Sequence, residues 1–556
     1  MLRLRALFCV SFAFCLSAQE SADLAVIYRI KNEALKKGKV MEHMAALTDQ
    51  HGPRLTASPQ YAAAAEWAAS RLRDWGLTNV HMEKWGPFGR SWSLKRFSAH
   101  MTAPQYSPLI GFPLAWSGTT NGVVSGEPIL LPARDNDLAR FQADLDRMKK
   151  QYAGKLKDKI VLTTAPRASM LSLKPLANRY TEVELVAQAA AQDPTVAQTF
   201  DYSRLSVPEE REARGAFMRD APDGFMDAYN DKRKVLRREY QEFLRQEGVL
   251  GLFNADPRGD GGTVFSEAAG WYEAKWPSPL PTVAITAEQY NRITRLIEKK
   301  VPVKLEFEIA AEISDKDVEP NNVVAEIPGG SKKDELIIVG AHLDSWIGGT
   351  GATDNGAGSS VALEAVRILK ALNLKLDRTV RIVLWSGEEQ GLLGSKAYVK
   401  EHYGDPKTMK VTANQARVSA YFNLDNGSGK IRGVYLQEND SARPYFEKWL
   451  APFRDLGVST ISIRSTGGTD HLSFDAVGIP GFQFIQDPLE YSTRTHHSNI
   501  DTLDHVQGPD LMQASAVMAS VIYHAANLKE MMPRKPLSEP KPKWTPSREA
   551  MNSGGN

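Results

Sequence analysis

The sequence predicts an α/β protein built on a mixed, mostly parallel sheet with helices on both faces, and three observations lead there. From residue 321 onward, short apolar runs alternate with helical segments: NNVVAEIP, ELIIVGAHLD, a helix at 357–372, TVRIVLWS, a helix at 391–401, RVSAYFNLD, a helix at 441–455, and IPGFQFIQ. Such alternation implies βαβ units. The stretch 22–76 has helical periodicity, and residues 119–316 have a different character, with short strands broken by turns and helices. At 556 residues the chain is too long for one ordinary core, so a second module is expected.

At the start of the chain, Arg3 and Arg5 precede an apolar run from Ala6 to Leu16 that ends in Ser17-Ala18. That is the layout of a secretory leader, and the run is far short of the roughly 20 residues a membrane span needs. Residues 1–18 are therefore expected to be a signal peptide and the protein to be exported, periplasmic or extracellular, with no integral membrane span. Cys9 and Cys15, the only two cysteines, lie in that leader. A mature chain without cysteine excludes disulfides, thiolate metal sites and a cysteine nucleophile. Removing the leader leaves 66 basic against 66 acidic residues, a balance that offers no footprint for nucleic acid.

In AAAAEWAASRLRDWGL (62–77) the residues Ala63, Trp67, Ala68, Leu72 and Trp75 recur at helical spacing, with Gly76 as the stop. HGPRLTASPQ (51–60) reads as a Pro-containing turn entering that helix, and 80–118 as strand-like. Within the second module, GEPILL, DKIVLTT, VLGLFNA, PTVAIT and VKLEFEIA read as strands. Residues 200–247 are densely charged and read as a solvated helical hairpin. A last helix is expected at about 508–530, followed by a Pro- and Lys-rich tail, 531–556, of disordered composition.

The chemistry concentrates at strand ends. His342 and Asp344 follow ELIIVGA, Asp354 lies in GGTGATDNGAGSS, Glu388 and Glu389 follow TVRIVLWSG, and Asp425 follows VSAYFNL. In an open α/β sheet the carboxyl ends of the strands form one edge where ligands bind, so these side chains are delivered to one place. Nitrogen and oxygen donors of this kind suit Zn²⁺ or a similar divalent ion. The glycine loop opens a helix but lacks a phosphate-binding lysine or a GxGxxG, and its glycines are expected to let Asp354 approach the metals without Cβ clashes.

AHLDS, ATDNGAGSS, WSGEEQGLLGS, NLDNGS and HHSNIDT together resemble the signatures of the di-zinc aminopeptidase and glutamate carboxypeptidase family, closely over 317–507 and more loosely over 52–77. The resemblance implies a zinc-exopeptidase fold whose peptidase domain comprises 22–118 and 317–530, interrupted at 119–316 by an inserted protease-associated-like domain. It implies two Zn²⁺ per chain, held by His342, Asp354, Glu389, Asp425 and His497, with Asp354 bridging. His497 is preferred to His496 because it stands four residues before Asp501. Glu388 is implied as the general base acting on a metal-bridging hydroxide, and Asp344 as a carboxylate that hydrogen-bonds the His342 imidazole. Where relatives have a tyrosine before the last histidine this chain has His496, so the oxyanion donor is His496 or Tyr491. Asp470 and His471, in GGTDHLSF, are candidates to line the substrate cleft or to be buried hydrogen-bonding residues.

These implications describe an exported zinc aminopeptidase or dipeptidase acting on a peptide or dipeptide, with a homodimer as a candidate assembly. Carboxypeptidase polarity stays open, with Arg464 and Arg494 as candidate partners for a substrate carboxylate. A non-catalytic receptor-like homologue and a one-zinc cyclase of N-terminal glutamine are the rivals. The intact set of ligands and the Glu-Glu pair argue against both.

Overall fold

Two eight-stranded sheets organise the computed structural model, which describes residues 22–168, 173–191, 199–209, 211–314, 316–536 and 542–545. The expected leader lies outside the described residues. Among the described residues no helix is long and apolar enough to cross a membrane.

The first sheet runs, edge to edge, Thr78–Lys84, Asn321–Ile327, Arg378–Trp385, Lys332–His342, Val418–Asn423, Gly481–Gln486, Ile431–Tyr435 and Thr460–Ser462. Its centre is parallel: Lys332–His342 pairs in parallel with Arg378–Trp385 on one side and with Val418–Asn423 on the other, which pairs in parallel with Gly481–Gln486. The register sets His342 opposite Trp385 and Gly340 opposite Asn423, so three consecutive strands end at one level. Side chains alternate between the two faces. Ile337, Val339, Val380, Ile382 and Leu384 enter a core under Pro59–Asp74, Ala357–Ala371 and Gly508–Ala526. Ile338, Val383, Trp385 and Tyr421 enter the opposite core, closed by Tyr398, Val399 and Phe474. Helices thus cover both faces.

The helix Pro59–Asp74 starts where Ser58 accepts a hydrogen bond from the Tyr61 backbone and Pro59 takes the first turn. Its buried face is Tyr61, Ala64, Ala65, Ala68, Ala69 and Leu72. Ala63, expected on that face, is exposed, because the small Ala64–Ala65 and Ala68–Ala69 pairs let the helix sit close to the sheet.

The second sheet runs Ser107–Pro108, Trp92–Ala103, Lys304–Ile313, Val124–Leu130, Lys159–Leu162, Gly251–Asn254, Thr282–Ile285 and Gly111–Pro113. Strands from both sides of 118/119 join this sheet. Trp92–Ala103, read as the N-terminal part of the peptidase domain, pairs antiparallel along Lys304–Ile313, and Gly111–Pro113 pairs with Thr282–Ile285. The charged stretch forms the helices Arg211–Asp220 and Phe225–Gln246, and the longer one buries Phe225, Tyr229, Leu236, Tyr240 and Leu244 against Leu138–Tyr152. Its charge is a surface stripe on a packed helix, and Arg233 and Arg237 converge on Asp135.

Of the tail expected at 531–556, residues 537–541 and 546–556 lie outside the described residues, and the described ones make contacts. Met532 is buried, and Arg534 donates to the carbonyls of Gly478, Gln415 and Val418 at 2.8–2.9 Å. Lys535 pairs with Asp475, and Trp544 packs edge-on against Phe225 of the second module while its indole N–H reaches the Tyr202 carbonyl. Pro and Lys lower a segment's propensity for helix and strand without preventing side chains from anchoring an extended chain.

The turn at 51–57 is fastened by Arg54, which is fully buried. Its guanidinium donates to the carbonyls of Leu343, Leu47, Thr350 and Gly351 at 2.6–2.8 Å, tying this turn to the strand end and to the glycine loop. Burial pulls its pKa down to about 10, against the pull of Asp501, Asp344 and Asp354. Arg54→Met, which keeps the bulk but strands four carbonyls and removes a buried cation beside carboxylates, is expected to cost roughly 3–5 kcal/mol of stability. Urea unfolding of the variant checks this; a loss below about 1 kcal/mol would contradict the role.

Candidate metal centre

Three strand ends and two loops build the site. His342 is the last residue of its strand, Glu388 and Glu389 follow Trp385 after a Gly387 turn, and Asp425 follows Asn423. Asp354 comes from the 352–356 turn that opens the helix Ala357–Ala371, and the Asp354–Asn355 peptide is cis. His496 and His497 come from the loop after Tyr491–Thr495. Two glycines of the Asp354 loop are fixed by close packing. Gly351 has φ +68°, and a Cβ there would lie 2.3 Å from that of Ser345; at Gly358 it would lie 2.0 Å from the Leu424 carbonyl.

Asp354 stands between the two imidazoles. Its Oδ1 is 3.3 Å from His342 Nε2 and its Oδ2 is 3.2 Å from His497 Nε2. His342 Nε2 is also 3.4 Å from Asp425 and 3.9 Å from Glu388, and His497 Nε2 is 3.0 Å from Glu389. His342 and Asp344 are fully buried, and Asp354, Glu388 and Asp425 nearly so. Within this cluster His342 Nε2, Asp354 Oδ2, Glu389 Oε1 and Asp425 Oδ1 are buried and make no hydrogen bond. Buried polar atoms are otherwise almost always paired. Unpaired nitrogen and oxygen atoms turned towards one another, in groups of three within 4.8 Å, fit divalent cations.

The electrostatics follow from crowding. Burial pushes Glu388 well above the usual carboxylate range; His342 opposes this, while Asp425, Asp470 and Glu389 add to it. Glu389 is pushed up to about 8, first by burial and then by Asp354. Burial also pushes Asp354 up, but His342, His497 and His496 outweigh it and hold that carboxyl well below its ordinary value. Burial lowers His342 and His497, and the surrounding carboxylates, led by Asp425 and Glu389 respectively, raise both well above the usual imidazole range.

Asp344 acts differently from the sequence expectation. The His342 Nδ1 partner is the backbone carbonyl of Asp344 at 3.0 Å, and the carboxylate lies 3.7 Å away. That carboxylate accepts the Thr56 hydroxyl at 2.8 Å and the backbone N–H groups of Glu388 and Glu389 at 3.3 Å. It therefore pins the turn that carries both glutamates. Asp501 does the same for the neighbouring loop, accepting from Thr353 N at 2.6 Å, Thr353 Oγ1 at 2.8 Å and Asp354 N at 3.3 Å. Burial and Asp354 push Asp501 up to about 7.

His496 stacks on His497 with ring centres 3.7 Å apart, its Nε2 3.8 Å from Asp354, and Tyr491 meets it edge-on at 4.9 Å. Both candidate oxyanion donors thus border the cluster. Asp470 is fully buried beside it, pushed up to about 7 by burial, with His342 opposing and Asp425 and Asp344 adding. His471 is turned into the fold: it is fully buried, bonded to the Thr466 carbonyl at 3.1 Å, and burial lowers it to about 4. It does not line an open cleft. Arg464 caps the Ala187 and Ala190 carbonyls, and Arg494 lies 3.6 Å from Glu490.

Sequence reasoning missed Arg54, Thr56 and Glu267, the last of which meets His497 Nδ1 at 2.9 Å. Asp501 stood in the HHSNIDT segment only as a marker of spacing. Nothing in the local pattern distinguishes the other three from surface residues.

The profile of peptidase family M28 matches residues 322–522, which contain every candidate ligand. Carboxypeptidase Q of Bos taurus is 31% identical over 273 residues, 49% of this chain and 55% of that protein. Aminopeptidase YwaD of Bacillus subtilis (strain 168) is 29% identical over 261 residues, 46% of this chain and 53% of that one. The chain spans about half the length of these relatives. Among solved structures, the peptidase M28 precursor from Shewanella amazonensis SB2B superposes with a TM-score of 0.63 at 26% identity, covering 92% of this chain and 98% of that one. BSAP, a zinc aminopeptidase from Bacillus subtilis, shares the fold with a TM-score of 0.52 at 18% identity, covering 88% and 95%. Residues 322–522 thus match peptidase family M28, and over about half its length the chain is similar to carboxypeptidase Q and to a bacterial aminopeptidase.

Proposed function

We propose that this chain is an exported two-zinc exopeptidase that hydrolyses the N-terminal peptide bond of short peptides or dipeptides. The observation that carries the reading is Asp354, with one carboxylate oxygen facing each of two imidazoles. His342 and Asp425 would hold one zinc, His497 and Glu389 the other, with Asp354 shared. When bound, the ions supply Lewis acidity to water and to the scissile carbonyl. Glu388 then takes the proton of the attacking water at its carboxylate and delivers it to the leaving amine. Asp344 holds the Glu388–Glu389 turn in register for this, and His496 or Tyr491 donates to the developing oxyanion. The second module, 92–313 by its strands, is proposed as the protease-associated-like domain, and 1–18 as the export signal.

Aminopeptidase polarity is favoured by charge. Asp470 adds to the ligand carboxylates and suits a substrate ammonium, whereas Arg464 is committed to two backbone carbonyls and Arg494 faces Glu490. Carboxypeptidase polarity is the second reading, because relatives at 31% identity are named carboxypeptidase Q. Aminoacyl-coumarins, N-blocked peptides and free dipeptides, assayed with and without chelator, separate the two. Hydrolysis confined to N-blocked peptides would reverse the polarity, and chelator-insensitive hydrolysis would remove the metals from the account.

Glu388→Gln is expected to keep the wild-type zinc content while lowering turnover by about 10²–10⁴-fold. Elemental analysis beside a rate measurement tests it; near-normal turnover would remove Glu388 as the base. Asp354→Ala should lose zinc, and a variant that retains two ions per chain would contradict a bridging carboxylate.

A further inference from the structure

The peptidase domain does not supply all the partners of its own histidines. His342 has its outward nitrogen, Nδ1, bonded within its own segment, to the Asp344 carbonyl. The outward nitrogen of His497 meets the Glu267 carboxylate at 2.9 Å, and Glu267 belongs to the second module, 230 residues away in sequence. The contact is braced on both sides. Ser266 N donates to the His497 carbonyl at 2.9 Å, Asn499 N donates to the Val264 carbonyl at 2.9 Å, and the Asn499 side chain accepts from Val264 N at 2.7 Å. Phe265 and Ser498 form an isolated antiparallel bridge between the same segments. His497 itself has φ +65°, a left-handed conformation that costs a non-glycine residue about 1–2 kcal/mol. A backbone held there needs its neighbours, and the second module provides them. Trp346 closes the remaining side, edge-on to the His497 ring at 5.9 Å.

We propose that Glu267 is the positioning residue of His497, fixing its tautomer and ring plane so that Nε2 faces Asp354 and Glu389, and that one of the two metal positions is therefore set by the docking of the second module. This rests on the reading of His497 as a metal ligand. A carboxylate on the far nitrogen of a ligand imidazole leaves Nε2 unprotonated and raises its basicity as a donor. The alternative is an ordinary rim ion pair, and Glu267 does have Arg258 at 3.8 Å. A flexible rim pair would not require two backbone hydrogen bonds between the adjoining segments to keep it in place.

The test is a titration of the metal-free full-length chain with Zn²⁺ against a chromophoric chelator, with Co²⁺-loaded spectra alongside, for wild type, Glu267→Ala and Glu267→Gln. Wild type is expected to bind two equivalents. Glu267→Ala should bind one of them about 10–100-fold more weakly and leave the other unchanged, with altered Co²⁺ bands. Glu267→Gln keeps a neutral acceptor and should show a smaller loss in the same equivalent, since a hydrogen bond to a charged acceptor is the stronger one. Both equivalents within twofold of wild type in Glu267→Ala, with unchanged Co²⁺ bands, would overturn the role. If that variant does not fold, unchanged affinity and spectrum in Glu267→Gln overturn it equally. A wild-type chain that binds no Zn²⁺ would instead sink the underlying reading of the centre, and this role with it.

Discussion

Negative charge packed at one edge of a parallel sheet is the constraint on which this molecule is built. Asp344, Asp354, Glu388, Asp425, Asp470 and Asp501 are all buried or nearly so within one region. Two unit charges 4 Å apart repel by about 4 kcal/mol at an effective dielectric of about 20. Such a cluster persists only if each carboxylate is protonated, paired with a cation or hydrogen-bonded, and the structure divides the work accordingly. Asp344 and Asp501 are spent on backbone N–H groups and hydroxyls, and Arg54 brings a fixed positive charge beneath them. The remaining carboxylates face two imidazoles and one another, which is the arrangement that divalent cations neutralise.

Geometry decides which residues fall into each class. Strands that end at one level deliver His342, Glu388–Glu389 and Asp425 side by side, so the sheet alone sets most of the cluster. Asp354 and His497 arrive from loops and need external bracing. Asp501 accepts from the Asp354 segment, and that same residue's carbonyl takes the Thr350 amide, so the two loops hold each other. The second module leans on the same region from two directions. Its segment 263–267 lies along 497–499, and its segment 176–182 lies along 487–493, where Thr493 donates to the Leu176 carbonyl and Arg179 reaches Asp487 and Asp510.

What the sequence disclosed follows from the range of the interactions involved. Strand-end carboxylates were legible because a run of apolar residues and the acid that follows it are neighbours in the chain. The helix at 59–74 was legible for the same reason, though Ala63 was placed on the buried face and is exposed, because alanine gives so little contrast. Glu267 was not legible: an isolated acid after Val264-Phe265-Ser266 looks like any turn residue, and its partner lies 230 positions on. Arg54 in a Pro-containing turn looked solvated, since nothing local announces four carbonyls converging from elsewhere. Asp344 was placed next to the correct imidazole but given the wrong partner, because spacing puts a side chain near an atom without saying whether the backbone reaches it first. Which sheet Trp92–Ala103 joins was not legible either, since its strand character suits both and only pairing with Lys304–Ile313 decides it.

A site braced by two modules has a consequence for how it holds shape. The sheet-borne residues are fixed by parallel pairing through a core that is buried on both faces, among the most stable parts of any fold. His497 sits in a left-handed backbone conformation on a loop whose partners belong to the other sheet, so its position depends on both. Trp544 packs on Phe225 in that other module, and Arg534 is fastened to the first sheet's side. Of the two imidazoles that face Asp354, His342 is therefore held from its own segment and His497 from the other sheet.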